Sequence, residues 1–453
     1  MDKEILCGVV LIVFAILHGG NRYFFSRNNF NLADFAIWMT CLYVGFGPVL
    51  SYISGYDDVY ATESLNGSVL ISSMTFIAGI MLAQISSRLV ARQGLQKNRE
   101  NFHTDGLFVI PHILDKISGG YFLAAYSIIW IYRVYIFLLG GGFSGTDSLS
   151  VMLSIPYWVI VLQFIFSPMS YILIFYVLRR IQTNNINIYW ILLLVVETIF
   201  TFTRGRRDMI NMLLVYGLAL LILHKKLYLK HIIAGGFVVY ILATVVFPFF
   251  WHFRLNLQEN MSQYGDRSVK NVLAQVESSE LDNSYFKAKY SNNIQVRARM
   301  NYMWIQVVED AVYKKGALRG EVFFSAFMGA LPRFIRPTKY WFDNASVIQD
   351  NYGFPRGDTS DNFIAAGYAD FKLVGVYVAG LVIGITLTLL PIINFSQNKN
   401  YPLISIIIFG HLLPLALDFE ISPTSYFAML RSIALLLVVV NLLPYISNRK
   451  LHL

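Results

Sequence analysis

Apolar residues in this chain fall into long blocks that are separated by short polar connections. The blocks are about 17 to 25 residues long, the length that an α-helix needs to cross about 30 Å of hydrocarbon. Each block therefore predicts a transmembrane helix. The predicted spans lie near residues 4–20, 33–53, 66–89, 119–140, 155–178, 186–203, 208–224, 230–250, 370–395, 401–417 and 424–446.

The spacing of these blocks predicts the organisation of the chain. Residues 1–250 hold the first eight spans, residues 251–368 form one long extracytoplasmic loop, and residues 369–453 hold the last three spans. An amphipathic stretch at 319–334 indicates a re-entrant or interfacial helix within the loop. The predicted fold class is all-α, a polytopic integral membrane protein with about 11–12 transmembrane helices and a long loop that contains short helices.

Composition supports this class. Of the 453 residues, 56% are hydrophobic and 14% are charged, against about 25% charged residues in ordinary globular proteins. No internal repeat is evident, so an inverted-repeat transporter is not favoured. Cys7 and Cys41 lie in apolar blocks and suggest neither a disulfide framework nor a metal site.

Lysine and arginine are concentrated in alternate short loops, and this orients a membrane protein because cytoplasmic loops carry the excess of positive charge. The basic loops contain Arg22 and Arg27; Arg92, Lys97 and Arg99; Arg179 and Arg180; Lys225 and Lys226; Lys399; and Arg449 with Lys450. The loops between them contain Asp57, Asp58, Glu63, Asp147, Asp418 and Glu420. We therefore expect the basic loops and the C-terminus to be cytoplasmic and the N-terminus to lie outside.

The short turn 204–207 breaks this rule, because Arg204, Arg206 and Arg207 lie on the side that is predicted to face outward. Arginine binds phosphate through a planar fork of donors and keeps its charge. The turn also opens the next span, so free amide groups and the positive end of the helix dipole add to the arginines. The pattern indicates an anion site at the outer membrane surface, where a lipid pyrophosphate is the expected anion.

A structural interpretation of the same turn stays open. Arg204 is one helical turn from Asp208 and two turns from Glu197, and it has the spacing to form an ion pair with either. The remaining arginines would then only extend to lipid head groups. The conflict with the charge rule favours anion binding.

The long outer loop combines aromatic residues with amides and carboxylates, which suits the faces and edges of sugar rings. The outer face of a membrane argues against nucleic acid as a partner. Asp343, Asp358 and Asp361 are the candidate acid–base carboxylates of this loop. Each of them also fits a helix cap or a solvated turn, and Asp358 precedes Thr359 and Ser360 in a helix-start pattern.

Several common signatures are missing from the sequence. It has no glycine-rich phosphate loop, no HExxH motif and no Cys/His metal spacing, so we expect neither a metal nor a soluble cofactor. Any reaction would then use an activated substrate that arrives through the membrane. The charged or polar groups inside predicted spans fit a head-group cavity and a transport pathway equally well. They are Arg133, Glu197, His411 and Arg431.

With these features, the chain resembles the O-antigen polymerase (Wzy-type) family of oligosaccharide repeat-unit polymerases. The similarity is first architectural: about a dozen spans, an arginine-bearing outer turn in mid-chain and a long outer loop before the last three spans. The family's turn often reads Gly-Ser-Arg-Gly at the opening of a helix, and Thr203-Arg204-Gly205-Arg206-Arg207 occupies that place here.

Two later segments extend the resemblance. Residues 331–339 are similar to the family's proline- and basic-rich stretch, and residues 361–376 are similar to its usual entry into the next span. The common form of that entry ends in Asn-Phe-Gly-x-x-Gly, whereas this chain has Asp370-Phe371-Lys372 before Leu, Val and Gly375. The Arg-x10-Gly spacing of some members also occurs, as in Arg356 to Gly367.

The resemblance implies a metal-independent glycosyltransferase of the bacterial inner membrane that builds the O-antigen of lipopolysaccharide or a similar surface polysaccharide. The enzyme would transfer a growing oligosaccharide from undecaprenyl pyrophosphate onto a lipid-linked repeat unit at the periplasmic face. One of Asp343, Asp358 and Asp361 would accept the proton of the acceptor hydroxyl, and a chain-length regulator is a family expectation. The residues expected to bind pyrophosphate are Arg204, Arg206, Arg207, Arg333, Arg336 and Arg356.

Other functions fit the same sequence. An O-antigen ligase uses the same donor with a different acceptor, and the lack of an evident histidine in the late outer loop argues weakly against it. A flippase or transporter for a lipid-linked glycan would use the charges inside the spans as its pathway. A membrane scaffold or regulator is a further alternative.

Overall fold

The computed structural model of the chain describes residues 3–25, 31–53, 68–95, 106–138, 155–204, 206–223, 284–331, 344–354, 362–397 and 401–449. Within these ranges all regular structure is helical, without a strand, as the hydrophobic pattern predicts. The α-helices are α1 (Lys3–Phe25), α2 (Leu32–Ile53), α3 (Ser68–Leu95), α4 (Ile110–Asp115), α5 (Gly119–Leu138), α6 (Tyr157–Phe166), α7 (Met169–Gln182), α8 (Ile188–Arg204), α9 (Arg206–Leu223), α10 (Ser284–Lys315), α11 (Glu321–Ala330), α12 (Asn344–Tyr352), α13 (Phe363–Gln397), α14 (Pro402–Leu417) and α15 (Pro423–Arg449).

Every predicted span except 230–250, which lies outside the described residues, coincides with one helix or with a pair of helices. The span 155–178 is a pair, because α6 ends at Phe166 and α7 begins after Pro168, whose ring nitrogen has no hydrogen to donate. The span predicted at 370–395 begins earlier, at Phe363, and α13 contains a kink. The stretch 319–334 contains α11.

Five helical segments are long and apolar enough to cross a membrane, by length and composition: Glu4–Arg22, Leu32–Val49, Ser68–Ser87, Trp158–Gln182 and Phe363–Asn394. Shorter apolar helices are Ile188–Thr201, Asp208–Leu223, Glu321–Ala330, Pro402–Leu417 and Pro423–Val438. An all-α membrane protein has this composition of helices.

The helices form two compact units. Unit 1 comprises residues 1–107, 293–399 and 411–453, and unit 2 comprises residues 108–292 and 400–410. Both units therefore collect segments that are distant in the sequence.

Helices α3 and α13 form the closest packing in unit 1. A Cβ atom added to Gly380 would lie 2.1 Å from the backbone oxygen of Phe76, and one added to Gly79 would lie 2.4 Å from that of Tyr377. Further along, the Ser87 and Thr388 hydroxyls are hydrogen-bonded at 2.8 Å. Small residues allow two helix backbones to approach in this way.

One end of unit 1 is held by a buried carboxylate, Asp34, at the start of α2. His18 Nε2 and Arg22 Nε from the end of α1 lie 3.1 Å from its Oδ1. Gln84 of α3 donates to the same oxygen at 3.0 Å. A single carboxylate thus joins the end of α1 and the start of α2 to the interior of α3, and its charge is neutralised by Arg22.

The other end of unit 1 carries the helices of the predicted outer loop. Glu309 of α10 accepts a hydrogen bond from Ser72 near the start of α3. Asn301, also of α10, donates to Glu420 in the connection between α14 and α15 at 3.0 Å. These two hydrogen bonds therefore join α10 to the start of α3 and to the connection that precedes α15.

Unit 2 is built around α7, whose residues Ile172 to Val177 are all buried. The Tyr176 ring stacks on Phe122 of α5 at 4.1 Å and contacts Trp190 of α8 at 5.0 Å. At the exposed surface, Arg179 forms a bidentate pair with Asp115 of α4 at 2.9 and 2.6 Å. The hydrogen bonds from Arg179, together with its positive charge, hold the pKa of the Asp115 carboxyl below its usual value.

Candidate functional site

The arginine turn lies between two helices of unit 2. Helix α8 ends at Arg204 and α9 begins at Arg206, so Arg206 and Arg207 occupy the first turn of α9. The side chains of these three arginines are outside the described residues. The backbone alone agrees with the sequence prediction that the turn opens a helix, with the positive end of the α9 dipole at the arginines.

Glu197 was one of the two acids with the spacing to pair with Arg204, and it has another partner. Arg133 of α5 donates from Nη1 to Glu197 Oε2 at 2.5 Å and from Nη2 to Oε1 at 2.7 Å. The Tyr126 hydroxyl donates to Oε2 at 2.5 Å. Both oxygens of this fully buried carboxylate therefore accept hydrogen bonds from Arg133 and Tyr126. These contacts do not support the pairing of Glu197 with Arg204 that its spacing of two helical turns allowed.

The Arg133 guanidinium has further contacts besides Glu197. Nη2 donates to Ser170 Oγ of α7 at 2.9 Å. The guanidinium carbon lies 4.3 Å from the centre of the Phe200 ring and 5.0 Å from that of Trp130. Cation–π contacts add to the ion pair in this buried site. The sequence identified Arg133 and Glu197 as costly charges inside spans, but it contains no signal that pairs them.

The two other polar groups that the sequence placed inside spans belong to unit 1. Arg431 of α15 donates from Nη1 to the backbone oxygen of Ala330, the last residue of α11. A cation at the carboxyl end of a helix interacts favourably with the helix dipole. His411 is buried within α14. Arg431 thus stabilises the end of α11.

The loop residues predicted for the active site lie outside the described residues: Asp343, Asp358, Asp361, Arg333, Arg336 and Arg356. The structure describes the helices between which they lie, namely α11, α12 and α13. The cap of α13 is Asn362, whose Oδ1 accepts the backbone N–H of Ala365 at 2.8 Å. Asp358 is therefore not the N-cap of α13, the structural alternative that its sequence pattern suggested.

Asp370, the carboxylate in the segment that resembles the family's span entry, has a structural task. Its Oδ1 accepts the N–H of Val322 at 3.0 Å and its Oδ2 accepts that of Phe323 at 2.9 Å. It is fully buried and caps the first turn of α11 from another helix. An acidic residue at this position therefore supplies acceptors to two backbone N–H groups of α11.

The kink of α13 begins at the residue after Asp370. Phe371 (φ −140°, ψ 22°) and Lys372 (φ 56°, ψ −143°) leave the helical conformation. The positive φ of Lys372 is a conformation that favours glycine. A Cβ on Gly375 would lie 2.1 Å from the backbone oxygen of Gly367, so the two sides of the kink approach too closely for any side chain.

Glu309 is a titratable group that the sequence analysis did not single out. Its side chain is 4% exposed, and its Oε2 has no hydrogen-bond donor among the described residues. The pKa of the Glu309 carboxyl is raised to about 7, mainly because the group is buried. Hydrogen bonds from Ser68 and Ser72 lower this pKa, and the charge of Asp310 adds to the increase. The sequence carries no signal for this burial, because Glu309 and Asp310 stand together in a segment that was predicted to be an outer loop.

Comparisons with known proteins identify no relative of this chain: no family model, no curated protein and no solved structure matches it.

Proposed function

We propose that this chain is a metal-independent glycosyltransferase of the bacterial inner membrane. It transfers a growing oligosaccharide from undecaprenyl pyrophosphate onto an incoming lipid-linked repeat unit at the periplasmic face. The observation that carries the proposal is the arginine turn at the start of α9. Three arginines lie there against the charge rule, and Glu197, one of the two acids with the spacing to pair with Arg204, forms a bidentate pair with Arg133.

The chemistry of the turn suits a pyrophosphate leaving group. Arg206 and Arg207 belong to the first turn of α9, where the amide groups and the helix dipole favour an anion. Arg204 ends α8. When the glycosyl bond breaks, negative charge grows on the pyrophosphate, and fixed cations stabilise that charge more than they stabilise the bound donor.

The acceptor hydroxyl must lose a proton as it attacks the sugar. Asp343, Asp358 and Asp361 are the proposed bases, and Arg333, Arg336 and Arg356 are further pyrophosphate ligands. All of them belong to connections between α11, α12 and α13. Support comes from Asn362, which caps α13 and so leaves Asp358 without that structural duty.

The proposed sidedness follows from the charges of the short loops. Helix α10, assigned to the outer loop, contacts the connection at Glu420 and the start of α3, which are assigned to the same side. The Asp34 cluster lies among chain ends assigned to the cytoplasm. The contacts of unit 1 are thus compatible with one predicted orientation of all its helices.

The test is the length distribution of surface polysaccharide on a gel, in cells that lack the protein and are complemented with variants at equal membrane abundance. We expect the deletion to leave the lipid core with a single repeat unit. Wild type restores the ladder and Arg206→Ala does not. Arg206→Lys restores it weakly, because lysine keeps the charge and loses the bidentate fork.

Lys116→Ala is the matched control, since it removes one exposed cation of unit 2 in a loop predicted to be cytoplasmic. It should restore the full ladder. If the deletion leaves bare core while long chains persist on the carrier lipid, the protein is a ligase. If neither ligated units nor chains appear outside the cell, it is a flippase.

A further inference from the structure

Two basic residues of unit 1 adopt backbone conformations that favour glycine. Arg319, in the connection before α11, has φ 56°, and Lys372, in the kink of α13, has the same φ. Glycine would adopt either conformation without the steric cost of a Cβ atom. The chain has a long cationic side chain at both positions, which indicates that the charges have a use.

The backbones of these two residues are held together. Leu318 N donates to Ala369 O at 2.8 Å, and Arg319 N donates to Asp370 O at 3.0 Å. Asp370 also binds the first turn of α11 through its carboxylate. Since Lys372 is two residues beyond Asp370, both cations extend from one corner that these hydrogen bonds fix.

Neither cation is used inside the described part of the chain. Both residues are exposed, and among the described residues neither side chain forms a hydrogen bond or an ion pair. Two carboxylates are near. Asp370 is occupied by backbone donors, and Glu321 forms no ion pair with either cation within the described ranges.

The surface around the two cations is apolar. Phe371 is 49% exposed and Val374 is 69% exposed on α13, and Phe324 is 66% exposed on α11. Helix α13 contains a segment that is long and apolar enough to cross a membrane. The kink at Lys372 divides that segment, and residues 373–394 beyond it are long enough to cross the hydrocarbon layer. Cations that stand beside exposed apolar side chains at the start of this stretch match the level where lipid hydrocarbon meets the head groups.

We propose that Arg319 and Lys372 together bind the phosphate of a membrane-lipid head group at the corner between α11 and α13. A guanidinium fork and an ammonium group on one rigid corner offer a phosphate several charge-assisted hydrogen bonds. An anionic phospholipid and an isoprenoid lipid phosphate share this chemistry. The two cations are not residues of the arginine turn, and the inference does not depend on the glycosyltransferase proposal.

Lipid binding to the purified full-length chain in an uncharged detergent tests this site. The probes are phosphatidylglycerol and undecaprenyl phosphate, each titrated separately and counted by native mass spectrometry. The variants are Arg319→Gly, Lys372→Gly and their combination. Each lost charge should weaken binding about fivefold, while the unfolding temperature stays equal or rises because glycine relieves the backbone.

Three further variants separate the effect of the lost charge from the effect of backbone strain. Lys314→Ala removes an exposed cation of α10 and should not change lipid affinity. Asn184→Gly relieves the positive φ (52°) of an uncharged residue and should raise the unfolding temperature without changing lipid affinity. Arg319→Lys combined with Lys372→Arg keeps both charges and should keep binding.

Weaker binding of both probes by the double glycine variant supports a general lipid-phosphate site. Weaker binding of undecaprenyl phosphate alone supports a site for the carrier lipid. The proposal is overturned if the double glycine variant binds both probes as wild type does, or if Lys314→Ala causes an equal loss. Should the glycine variants unfold, loss of binding by the charge-preserving variant overturns it as well.

Discussion

Arg133 and Glu197 form a bidentate ion pair in unit 2 across 64 residues of sequence, with donor–acceptor distances of 2.5 and 2.7 Å. The exposed fractions of their side chains are 5% and 0%. Each residue neutralises the charge of the other, and either charge alone would be costly to bury at this position. The pair therefore joins α5 to α8, the helix that leads into the arginine turn.

Replacing one member of this pair should strongly destabilise the protein. We expect Glu197→Gln to lower the free energy of unfolding by about 3–5 kcal/mol, because Arg133 is left buried without a counter-charge. Thermal or denaturant unfolding in detergent measures the change. Combining Arg133→Leu with Glu197→Leu should recover most of the loss.

The exposed pair of Asp115 and Arg179 is the control for this measurement. Asp115 has a side chain that is 42% exposed, so Asp115→Asn should cost less than about 1 kcal/mol. Equal losses for Glu197→Gln and Asp115→Asn would contradict a special role for the buried pair.

Glu309 should make stability depend on pH near neutrality. Its pKa is 4.5 in the unfolded chain and about 7 in the folded one, so between these values the unfolded state loses a proton that the folded state keeps. The contribution of Glu309 to the free energy of unfolding is fully present below pH 4.5 and is lost as the pH rises towards 7. The unfolding temperature of wild type should fall across this window, and that of Glu309→Gln should change much less there. A wild-type curve that rises across the window would refute the assignment.

Asp370 should hold the amino end of α11 in place. In Asp370→Ala, the N–H groups of Val322 and Phe323 lose their acceptors, at about 1–3 kcal/mol for each buried donor. Hydrogen exchange followed by mass spectrometry should show faster exchange in the α11 peptide and little change in the peptides of α5 to α9. Unchanged protection of α11 would exclude the capping role.

Gly380 and Gly217 should respond oppositely to the same substitution. Gly380→Ala places a Cβ 2.1 Å from Phe76 O, so α3 and α13 must separate and the unfolding temperature should drop. A Cβ on Gly217, in the interior of α9, meets nothing within 4 Å, and Gly217→Ala should stabilise the protein by about 0.5–1 kcal/mol. A common direction for both variants would be inconsistent with the close contact.

Local hydropathy was enough to predict the apolar helices, because a run of apolar side chains of this length favours a helix. It did not predict α10, a helix of 32 residues in a segment that was expected to hold only short helices. Long-range partners were not predictable either, since nothing local pairs Arg133 with Glu197. Glu309 lies in the predicted loop, and its environment comes from Ser68 and Ser72 of α3.

Of the two backbone irregularities, one has a local sequence signal and the other has none. Pro168 interrupts its predicted span because proline lacks a backbone N–H, although the apolar pattern continues across it. The kink at Phe371 and Lys372 carries no such signal, because lysine is not a residue that predicts positive φ. It arises from the binding of Asp370 to α11 and from the close approach of Gly367 and Gly375.

The Asp34 cluster has a consequence for how the first three helices are held together. Asp34 joins α1, α2 and α3 at a single point through His18, Arg22 and Gln84. Loss of this one carboxylate would therefore remove a contact from three helices at once and leave the Arg22 charge without its counter-charge.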